Sequence, residues 1–398
     1  GPGLAGSRRG GGRPFLVESP KPRPPPPVSI PMRPPKDPSP PAEGRQAWRP
    51  PGSDGVRPRE GAASNLRPEP EPSELGLEAE GALRPERLED FVGQRQPVEN
   101  LRVAVQAALQ RGEPPDHLLL CGPPGLGKTT LARIVANELA TALVSTSGPA
   151  LVRPADLIGI LMNLRRNEVL FIDEIHRLPA AVAEYLYTAM EDRRIEMTIN
   201  EGPNAQVMPL SLQPFMMVGA TTREGLLSGP FRARFGLVER LLPYPLEDLR
   251  TILARSARLL DLELDDEALE QLAIRSRGTP RVANRLLRRV RDLAQVEGLR
   301  RIDAALAERC MLRHGIDAHG LEEIDRQILA YLARSPDRPV GLKTLAAAIG
   351  ESEDTLEDVF EPHLIRLGFL HKTPRGRQVT DQGLAAIQQQ GRPRRLFE

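Results

Sequence analysis

One glycine-rich segment constrains the fold of this chain more than any other feature. Residues 122–129 read Gly-Pro-Pro-Gly-Leu-Gly-Lys-Thr, which fits the pattern G-x-x-x-x-G-K-[ST]. An apolar run at 118–121 precedes the segment and a helical pattern over 131–139 follows it. This is the strand–loop–helix context that the phosphate-binding motif requires. The sequence therefore predicts a P-loop α/β domain that binds a nucleoside triphosphate.

The residue types in this segment each suit a phosphate site. Gly122, Gly125 and Gly127 let the backbone N–H groups and the following helix N-terminus approach an anion closely. Lys128 is predicted to reach the β- and γ-phosphates of ATP, and the Thr129 hydroxyl to ligate Mg²⁺. The chain has only five lysines among its 54 Lys and Arg residues. A lysine kept in this position suits a crowded phosphate cradle, where a planar guanidinium fits poorly.

Two further predicted strands end in residues that are suited to catalysis or to metal binding. The apolar residues 169–172 are followed by Asp173 and Glu174, and adjacent carboxylates in such a place are costly to bury without a cation. We predict that Asp173 holds Mg²⁺, usually through water, and that Glu174 is the base that polarises the attacking water. The run 215–220 ends beside Thr222. Its hydroxyl, on a strand between the other two, would orient water or sense the γ-phosphate.

Two arginines follow in the order that a ring-forming ATPase needs, because positive charge must stabilise the γ-phosphoryl in the transition state. Arg234 lies in the segment 229–236, downstream of the Thr222 strand, where one subunit can face its neighbour's nucleotide. We predict that it acts in trans. Arg281, at the start of a helix in Gly-Thr-Pro-Arg, would contact the γ-phosphate from a helical lid of the same subunit.

Apolar runs separated by long helical patterns predict a parallel sheet with helices on both faces. Residues 245–298 read as purely helical, and 318–380 as three amphipathic helices followed by a basic hairpin that turns around 373–377, the outline of a winged helix. The resulting domain prediction is a Pro/Gly/Arg-rich disordered extension at 1–78, an ATPase domain at 79–244, a helical lid at 245–317, a winged-helix DNA-binding domain at 318–385 and a flexible tail at 386–398.

The composition of the chain excludes several classes of protein. The net charge is only +1, so any DNA contact must be local rather than a property of the whole chain. Two cysteines cannot make a disulfide framework, and no apolar stretch is long enough to span a bilayer. We therefore expect a cytoplasmic protein with no membrane partner. The Pro-rich extension has two interpretations, a basic arm that contacts a partner or DNA and an extension without a function.

The ordered set Lys128, Asp173 and Glu174, Thr222, Arg234 and Arg281 resembles that of AAA+ ATPases. Longer stretches resemble the RuvB family, the bacterial motors that drive branch migration of Holliday junctions. They are residues 122–132, 171–177, 189–192, 219–223, 278–292 and 373–377. The similarity runs from about residue 83 to about residue 380, nearly all of the chain outside the Pro-rich extension.

The resemblance implies a homo-hexameric ring that uses ATP and Mg²⁺ to translocate double-stranded DNA at four-way junctions, docked on a RuvA-like protein and compatible with the resolvase RuvC. It places Leu83 and Arg84 at the adenine pocket with Tyr244 nearby, and Gly125, Lys128, Thr129 and Thr130 at the phosphates. It also implies that Glu191, Asp192 and Arg193 lie near nucleotide, that Lys372 and Arg377 contact DNA phosphates, and that a hairpin at about 195–212 binds RuvA.

The chain departs from the family pattern at the hairpin and in the winged helix. The hairpin tip has Asn204 and Gln206 where relatives tend to have alanine and arginine, and Pro209 in the returning strand removes a ladder donor. Glu353 stands where some relatives carry a basic DNA contact. An alternative function is an AAA+ switch or loader that uses nucleotide for assembly and moves no DNA. A protease unfoldase is disfavoured, because the chain lacks an aromatic pore loop and a peptidase-docking loop.

Overall fold

A computed structural model describes residues 83–199 and 206–389. The predicted extension at 1–78 therefore lies outside the described residues, as do 390–398 of the predicted tail. The described part of the chain contains a parallel sheet, a helical lid and a winged-helix module in that order. None of its helices is long and apolar enough to cross a membrane.

The central sheet has five parallel strands in the order β2-β3-β6-β1-β7. They are β1 (Leu118–Cys121), β2 (Leu143–Ser147), β3 (Val169–Asp173), β6 (Met216–Thr221) and β7 (Leu237–Arg240). The apolar runs at 118–121, 142–144, 169–172 and 215–218 predict β1, β2, β3 and β6, and no such run marks β7. β6 lies between β3 and β1, so the strand that leads to Thr222 is the central one, as predicted.

Both faces of the sheet are covered, which explains why its central strands β1, β3 and β6 are almost entirely apolar. Along β1, Leu118 and Leu120 pack into one hydrophobic cluster, while Leu119 and Cys121 pack into a second cluster on the opposite face. Side chains alternate between faces along a strand, so a strand buried on both sides has no polar positions. The helices of this domain are α1 (Arg95–Arg111), α2 (Lys128–Glu138), α3 (Pro154–Asn163), α4 (Ala180–Asp192) and the short α5 (Gly229–Arg232).

A two-stranded antiparallel hairpin leaves the sheet domain between α4 and β6. Its strands are β4 (Arg194–Ile199) and β5 (Gln206–Ser211), and Pro209 pairs with Glu196. Each strand of a two-stranded hairpin has a free edge, so Pro209 is tolerated on an edge strand, as predicted. Residue 204 lies outside the described residues.

The lid contains α6 (Leu246–Leu259), α7 (Asp266–Arg275), α8 (Pro280–Val296) and α9 (Ala304–Arg313). The prediction that 245–298 is purely helical was wrong in one place. β8 (Glu263–Leu264) pairs in parallel with β9 (Arg301–Ile302), where Ile302 is fully buried. Two residues are too few for a sequence period to reveal a strand.

The winged-helix module contains α10 (Glu323–Ala333), α11 (Leu342–Ile349), a helical segment at 353–366 and the hairpin of β10 (Leu370–Thr373) and β11 (Gly376–Val379). The segment 353–366, called the acidic segment below, consists of α12 (Glu353–Thr355), a π turn (Leu356–Phe360) and α13 (Glu361–Arg366). The flexible tail predicted from 386 was wrong at its start. α14 (Asp381–Gln389) includes residues 386–389, because Ala386 and its apolar neighbours pack on the core of this module.

Candidate functional site

The P-loop is shaped by backbone that only glycine adopts easily. Gly122 follows β1 with a φ of 140°, and a Cβ there would lie 2.5 Å from the carbonyl oxygen of Leu241. Gly127 has a φ of 103° and forms the N-cap of α2, whose first residue is Lys128. The loop therefore turns tightly into the N-terminus of an 11-residue helix, where free N–H groups and the helix dipole favour an anion.

Lys128 is a buried cation whose ammonium group meets only neutral hydrogen-bond acceptors. Its side chain is 7% exposed, and Nζ donates to the carbonyl oxygens of Gly122 at 2.7 Å and Pro123 at 3.0 Å. Burial lowers the pKa of Lys128, and the nearby carboxylates of Glu174 and Asp173 oppose that shift. No carboxylate within the described ranges lies at ion-pair distance from Lys128, and a buried cation in that situation is suited to an anionic ligand.

The two predicted carboxylates lie at the end of β3. Asp173 is its last residue, and Asp173 Oδ1 accepts a hydrogen bond of 3.0 Å from the backbone N–H of Glu174. Glu174 has a φ of 46°, in the left-handed region that a non-glycine residue seldom occupies. Such strain clusters at functional positions. It turns the chain sharply, so that both residues line the same pocket as Lys128.

Behind Glu174 lies a small polar network that the sequence predicted only in part. Thr222 Oγ1 donates to Glu174 Oε2 at 3.2 Å, so the predicted sensor holds the predicted base. His176 Nδ1 lies 3.2 Å from the same oxygen and 2.9 Å from Thr221 Oγ1. Burial lowers the pKa of His176. Sequence pattern alone does not identify His176, because a single histidine after two acids is indistinguishable from a helix-start residue.

One pocket of about 360 Å³ collects most of the predicted nucleotide residues. The predicted residues that line it are Leu83, Arg84, Gly125, Gly127, Lys128, Thr129, Thr130, Asp173, Glu174, Tyr244 and Arg281. Further lining residues that the sequence did not indicate include Phe91, Ile252, Arg255 and Asn284. Gly122 is not part of the lining, and its carbonyl oxygen instead accepts a hydrogen bond from Lys128 Nζ. The pocket joins the P-loop to an apolar region built by the lid and the first described residues.

The lid covers this pocket directly. Arg281 lies in the first turn of α8, and its backbone N–H lies 3.4 Å from the carbonyl oxygen of Gly125. Tyr244 is buried where the sheet domain meets the lid, its hydroxyl donates to the carbonyl oxygen of Leu126 at 3.2 Å, and burial raises its pKa. The backbone of Arg281 thus places this residue at the P-loop of its own chain.

A second group of predicted residues lies outside the pocket of its own chain. Arg234 Nη2 donates to Glu191 Oε2 at 2.8 Å, and Nη1 to the carbonyl oxygen of Pro230 at 2.7 Å. The guanidinium also lies 5.0 Å from the ring centroid of Tyr187. Asp192 and Arg193, at the end of α4, are likewise absent from the pocket lining. Arg234 is therefore held in a defined orientation, away from the nucleotide residues of its own subunit.

The predicted DNA contacts of the winged helix have partners within the chain. Lys372 and Arg377 face each other across the hairpin. Lys372 Nζ lies 2.8 Å from Glu361 and 3.1 Å from Glu357, while Arg377 Nε lies 2.6 Å from Glu361. Glu361 is fully buried beneath them. The Lys372 side chain remains 42% exposed and that of Arg377 only 12%, so Lys372 is the more accessible cation.

Family comparisons match nearly all of the described chain. Residues 83–241 match the Holliday junction DNA helicase RuvB P-loop domain, residues 244–317 the RuvB AAA lid domain, and residues 318–388 the RuvB C-terminal winged helix domain.

Similar proteins agree with these matches. The chain is 53% identical over 323 residues to a Holliday junction branch migration complex subunit RuvB of Myxococcus xanthus, covering 81% of this chain and 94% of that protein. It is 54% identical over 316 residues to the subunit of Prochlorococcus marinus strain MIT 9303, covering 79% and 90%. The solved structure of the Thermotoga maritima RuvB Holliday junction branch migration motor superposes with a TM-score of 0.71 at 47% identity, covering 77% of this chain and 98% of that one.

Proposed function

The chain belongs to the RuvB family, and on that basis we propose that it is an ATP-driven motor that translocates double-stranded DNA and so drives branch migration of Holliday junctions. The observation that carries the proposal is the pocket in which Lys128, Glu174 and Arg281 converge, in a chain that also bears a winged-helix module. An ATP site and a DNA-binding module in one chain are what a translocase requires.

The pocket suits ATP and Mg²⁺ by the chemistry of its donors. The P-loop N–H groups and Lys128 bind the phosphates, and the apolar lining near Leu83 accepts the base. The Thr129 hydroxyl and the Asp173 carboxylate are hard oxygen ligands of the kind that Mg²⁺ prefers. When bound, the metal ion would neutralise charge that develops on the phosphates.

The chain's own residues supply the water chemistry. Thr222 donates a hydrogen bond to Glu174 Oε2, and His176 Nδ1 lies 3.2 Å from the same oxygen, which leaves Oε1 to accept the proton of the attacking water. Because Oε2 has two polar neighbours, the carboxylate cannot rotate freely. Restricting the base in this way lowers the entropic cost of reaching the productive geometry.

We also propose that the active form is a homo-hexameric ring with composite sites. Arg234 would reach the γ-phosphate bound by a neighbouring subunit, with Glu191, Asp192 and Arg193 on the same surface. The buried Arg234 Nε has no partner within the described chain, which supports a further contact made on assembly. The hairpin of β4 and β5 would dock a RuvA-like protein, and RuvC would join at the junction. We propose a cytoplasmic location for this DNA-processing complex.

The variant Glu174→Gln tests the assignment of the base. The amide accepts hydrogen bonds but is too weak a base to take a proton, so ATP turnover should fall by at least about 100-fold. Nucleotide binding, measured with a fluorescent ATP analogue, should be retained because the P-loop is untouched. Glu184→Gln, an exposed residue of α4, is the matched control. Undiminished turnover in Glu174→Gln would remove Glu174 from its role.

The pairing of Lys372 and Arg377 with glutamates favours a second candidate function. If these cations remain paired with Glu357 and Glu361, the wing offers little charge to DNA, and the protein acts as a nucleotide-controlled switch or loader. Measuring ATP turnover and four-way junction movement in the same sample separates the two functions. Turnover without strand movement in the presence of RuvA would support the switch.

A further inference from the structure

Arg223 connects the nucleotide network to the winged-helix module. It directly follows Thr222, and its backbone N–H donates to Thr221 Oγ1 at 3.0 Å. Thr221 and Thr222 are both linked to Glu174, one through His176 and the other directly. A displacement of the Arg223 backbone would therefore reach the catalytic carboxylate through the hydrogen bond from Thr222 and through the close polar contact of His176.

The side chain of Arg223 is held by the acidic segment. Its Nε lies 3.1 Å from each carboxylate oxygen of Asp358, a two-oxygen contact that fixes the orientation of the guanidinium. Its Nη2 lies 2.9 Å from Asp354 Oδ1, at ion-pair distance but without hydrogen-bond alignment. The Arg223 side chain is 23% exposed and that of Asp358 27%. Solvent screening is therefore weaker here than for a surface pair.

Glu357 is shared between Arg223 and the DNA-facing wing. Its Oε1 lies 3.1 Å from Lys372 Nζ and 3.3 Å from Arg377 Nη2, and its Oε2 lies 3.8 Å from Arg223 Nη2. The cluster holds the carboxylates of Asp354, Glu357, Asp358 and Glu361 against the cations of Arg223, Lys372 and Arg377. When a DNA phosphate binds Lys372, the cluster loses one cation, and its four carboxylates then outnumber the remaining cations by two. Their attraction is then directed at the remaining cations, of which Arg223 is the one on the ATPase domain.

We propose that Arg223 is a positioning residue through which the winged-helix module fixes the positions of Thr222 and Glu174. Through Glu357, the strength of the contact between Arg223 and the acidic segment depends on whether DNA is bound at the wing. DNA at Lys372 frees Glu357, the acidic segment holds Arg223 more tightly, and the end of β6 is fixed in the arrangement that orients the base. This inference rests on the proposed function, because a motor that moves on duplex DNA is expected to hydrolyse ATP faster when DNA is bound, and the coupling would supply the route for that stimulation.

The first test is Asp358→Asn in the full-length protein, with turnover measured against ATP and against duplex DNA concentration. Loss of the Arg223 partner should leave DNA-free turnover within about twofold and the KM for ATP unchanged, while the stimulation by duplex falls by about fivefold or more. Asp337→Asn, an exposed aspartate of the same module, is the matched control. Circular dichroism melts establish that each variant is folded, and Glu357→Gln provides a second route to the same loss of stimulation.

The second test separates coupling from a merely structural contact. Lys372→Ala removes a wing cation and frees Glu357 as DNA would, so DNA-free turnover should rise toward the stimulated level even though DNA affinity falls. The double variant Lys372→Ala with Asp358→Asn should lose that rise. A structural contact alone predicts no activation without DNA.

The outcomes also distinguish this inference from the proposed function. Absence of any DNA stimulation in the unmodified protein would overturn the proposed motor and this coupling with it. Normal DNA stimulation in the unmodified protein that survives in both Asp358→Asn and Glu357→Gln would overturn the coupling alone. DNA-free turnover in Lys372→Ala at or below that of the unmodified protein would also overturn it.

Discussion

Removal of Arg277 should destabilise the protein in a way that depends on pH. Arg277 lies in the short connection between α7 and α8, and its Nη2 lies 2.6 Å from Asp325 Oδ2 in the winged-helix module. Asp325 is fully buried, and its Oδ1 has no partner within the described chain. Burial raises the pKa of Asp325 to about 6, despite the opposing charge of Arg277.

The direction of this pH dependence follows from the pKa of Asp325 in the folded and the unfolded chain. The folded pKa of Asp325 exceeds the unfolded value of about 4, so the folded protein binds this proton more readily. The contribution of Asp325 to stability therefore falls as pH rises from about 4 to about 6. In the unmodified protein the fall ends near pH 6, because Arg277 lets the carboxylate ionise. In Arg277→Met the folded pKa moves higher still, and the fall continues above pH 6.

The magnitude can be worked from the same pKa. Between pH 6 and the raised pKa of Asp325 in the variant, each pH unit costs the variant up to about 1.4 kcal/mol more than the unmodified protein, which gives at most about 1.4 kcal/mol at pH 7 and about 2.7 kcal/mol at pH 8. Loss of the 3.0 Å hydrogen bond from Arg277 Nε to the carbonyl oxygen of Gly320 adds about 1 kcal/mol at every pH. His363, which also faces Arg277, has a pKa of about 3 and remains neutral over this range.

Urea unfolding followed by far-UV circular dichroism at pH 6, 7 and 8 measures these differences. The matched control is the double variant Arg277→Met with Asp325→Asn, in which residue 325 can no longer titrate. Its loss of unfolding free energy should not change with pH. An equal loss for Arg277→Met at pH 6 and pH 8, or a pH-dependent loss in the double variant, would refute the reasoning.

Three further predictions concern function. Thr222→Val removes the hydrogen bond to Glu174 Oε2. It should lower kcat by about tenfold with little change in the KM for ATP, since the hydrogen bond that orients the base contributes about 1.4 kcal/mol to lowering the activation free energy. A raised KM with unchanged kcat would contradict this prediction. Arg234→Ala should be inactive alone, yet mixing it with Glu174→Gln subunits should restore part of the turnover, because some composite sites regain both residues; no recovery in mixed rings would exclude action in trans. Lys372→Ala with Arg377→Ala should weaken duplex binding to all sequences and lower the slope of log affinity against log salt by about 2, and an unchanged slope would exclude both as phosphate contacts.

Local sequence pattern predicted the sheet well where strands are buried on both faces. β1 and the first four residues of β3 are uninterrupted apolar runs, and their positions were correct because these residues are buried on both faces of the sheet. β7 was missed because Glu239 and Arg240 make up half of its four residues. Glu239 is buried only because it accepts a hydrogen bond from the Asn100 amide at 2.8 Å. Pattern alone gives no sign of such a pair.

The pocket residues were predictable for a different reason from the contacts around them. Lys128 and Glu174 each follow a strand, and the carboxyl ends of parallel strands meet at one edge of the sheet. By contrast, Arg223 meets Asp358 across 135 residues, and Lys372 meets Glu357 across 15. In a chain with 54 basic and 53 acidic residues, sequence spacing does not indicate which cation meets which carboxylate. The pairing of the wing with the acidic segment therefore emerged only from the fold.

The central claim is that ATP hydrolysis in this pocket moves double-stranded DNA. Its most direct test is to follow strand separation of a labelled four-way junction and ATP turnover together, with RuvA present, for the unmodified chain and for Glu174→Gln. The account predicts junction movement that requires ATP, with Glu174→Gln binding ATP but losing both turnover and movement. Junction movement that persists in Glu174→Gln, or sustained turnover that moves no junction in the unmodified chain, would contradict it.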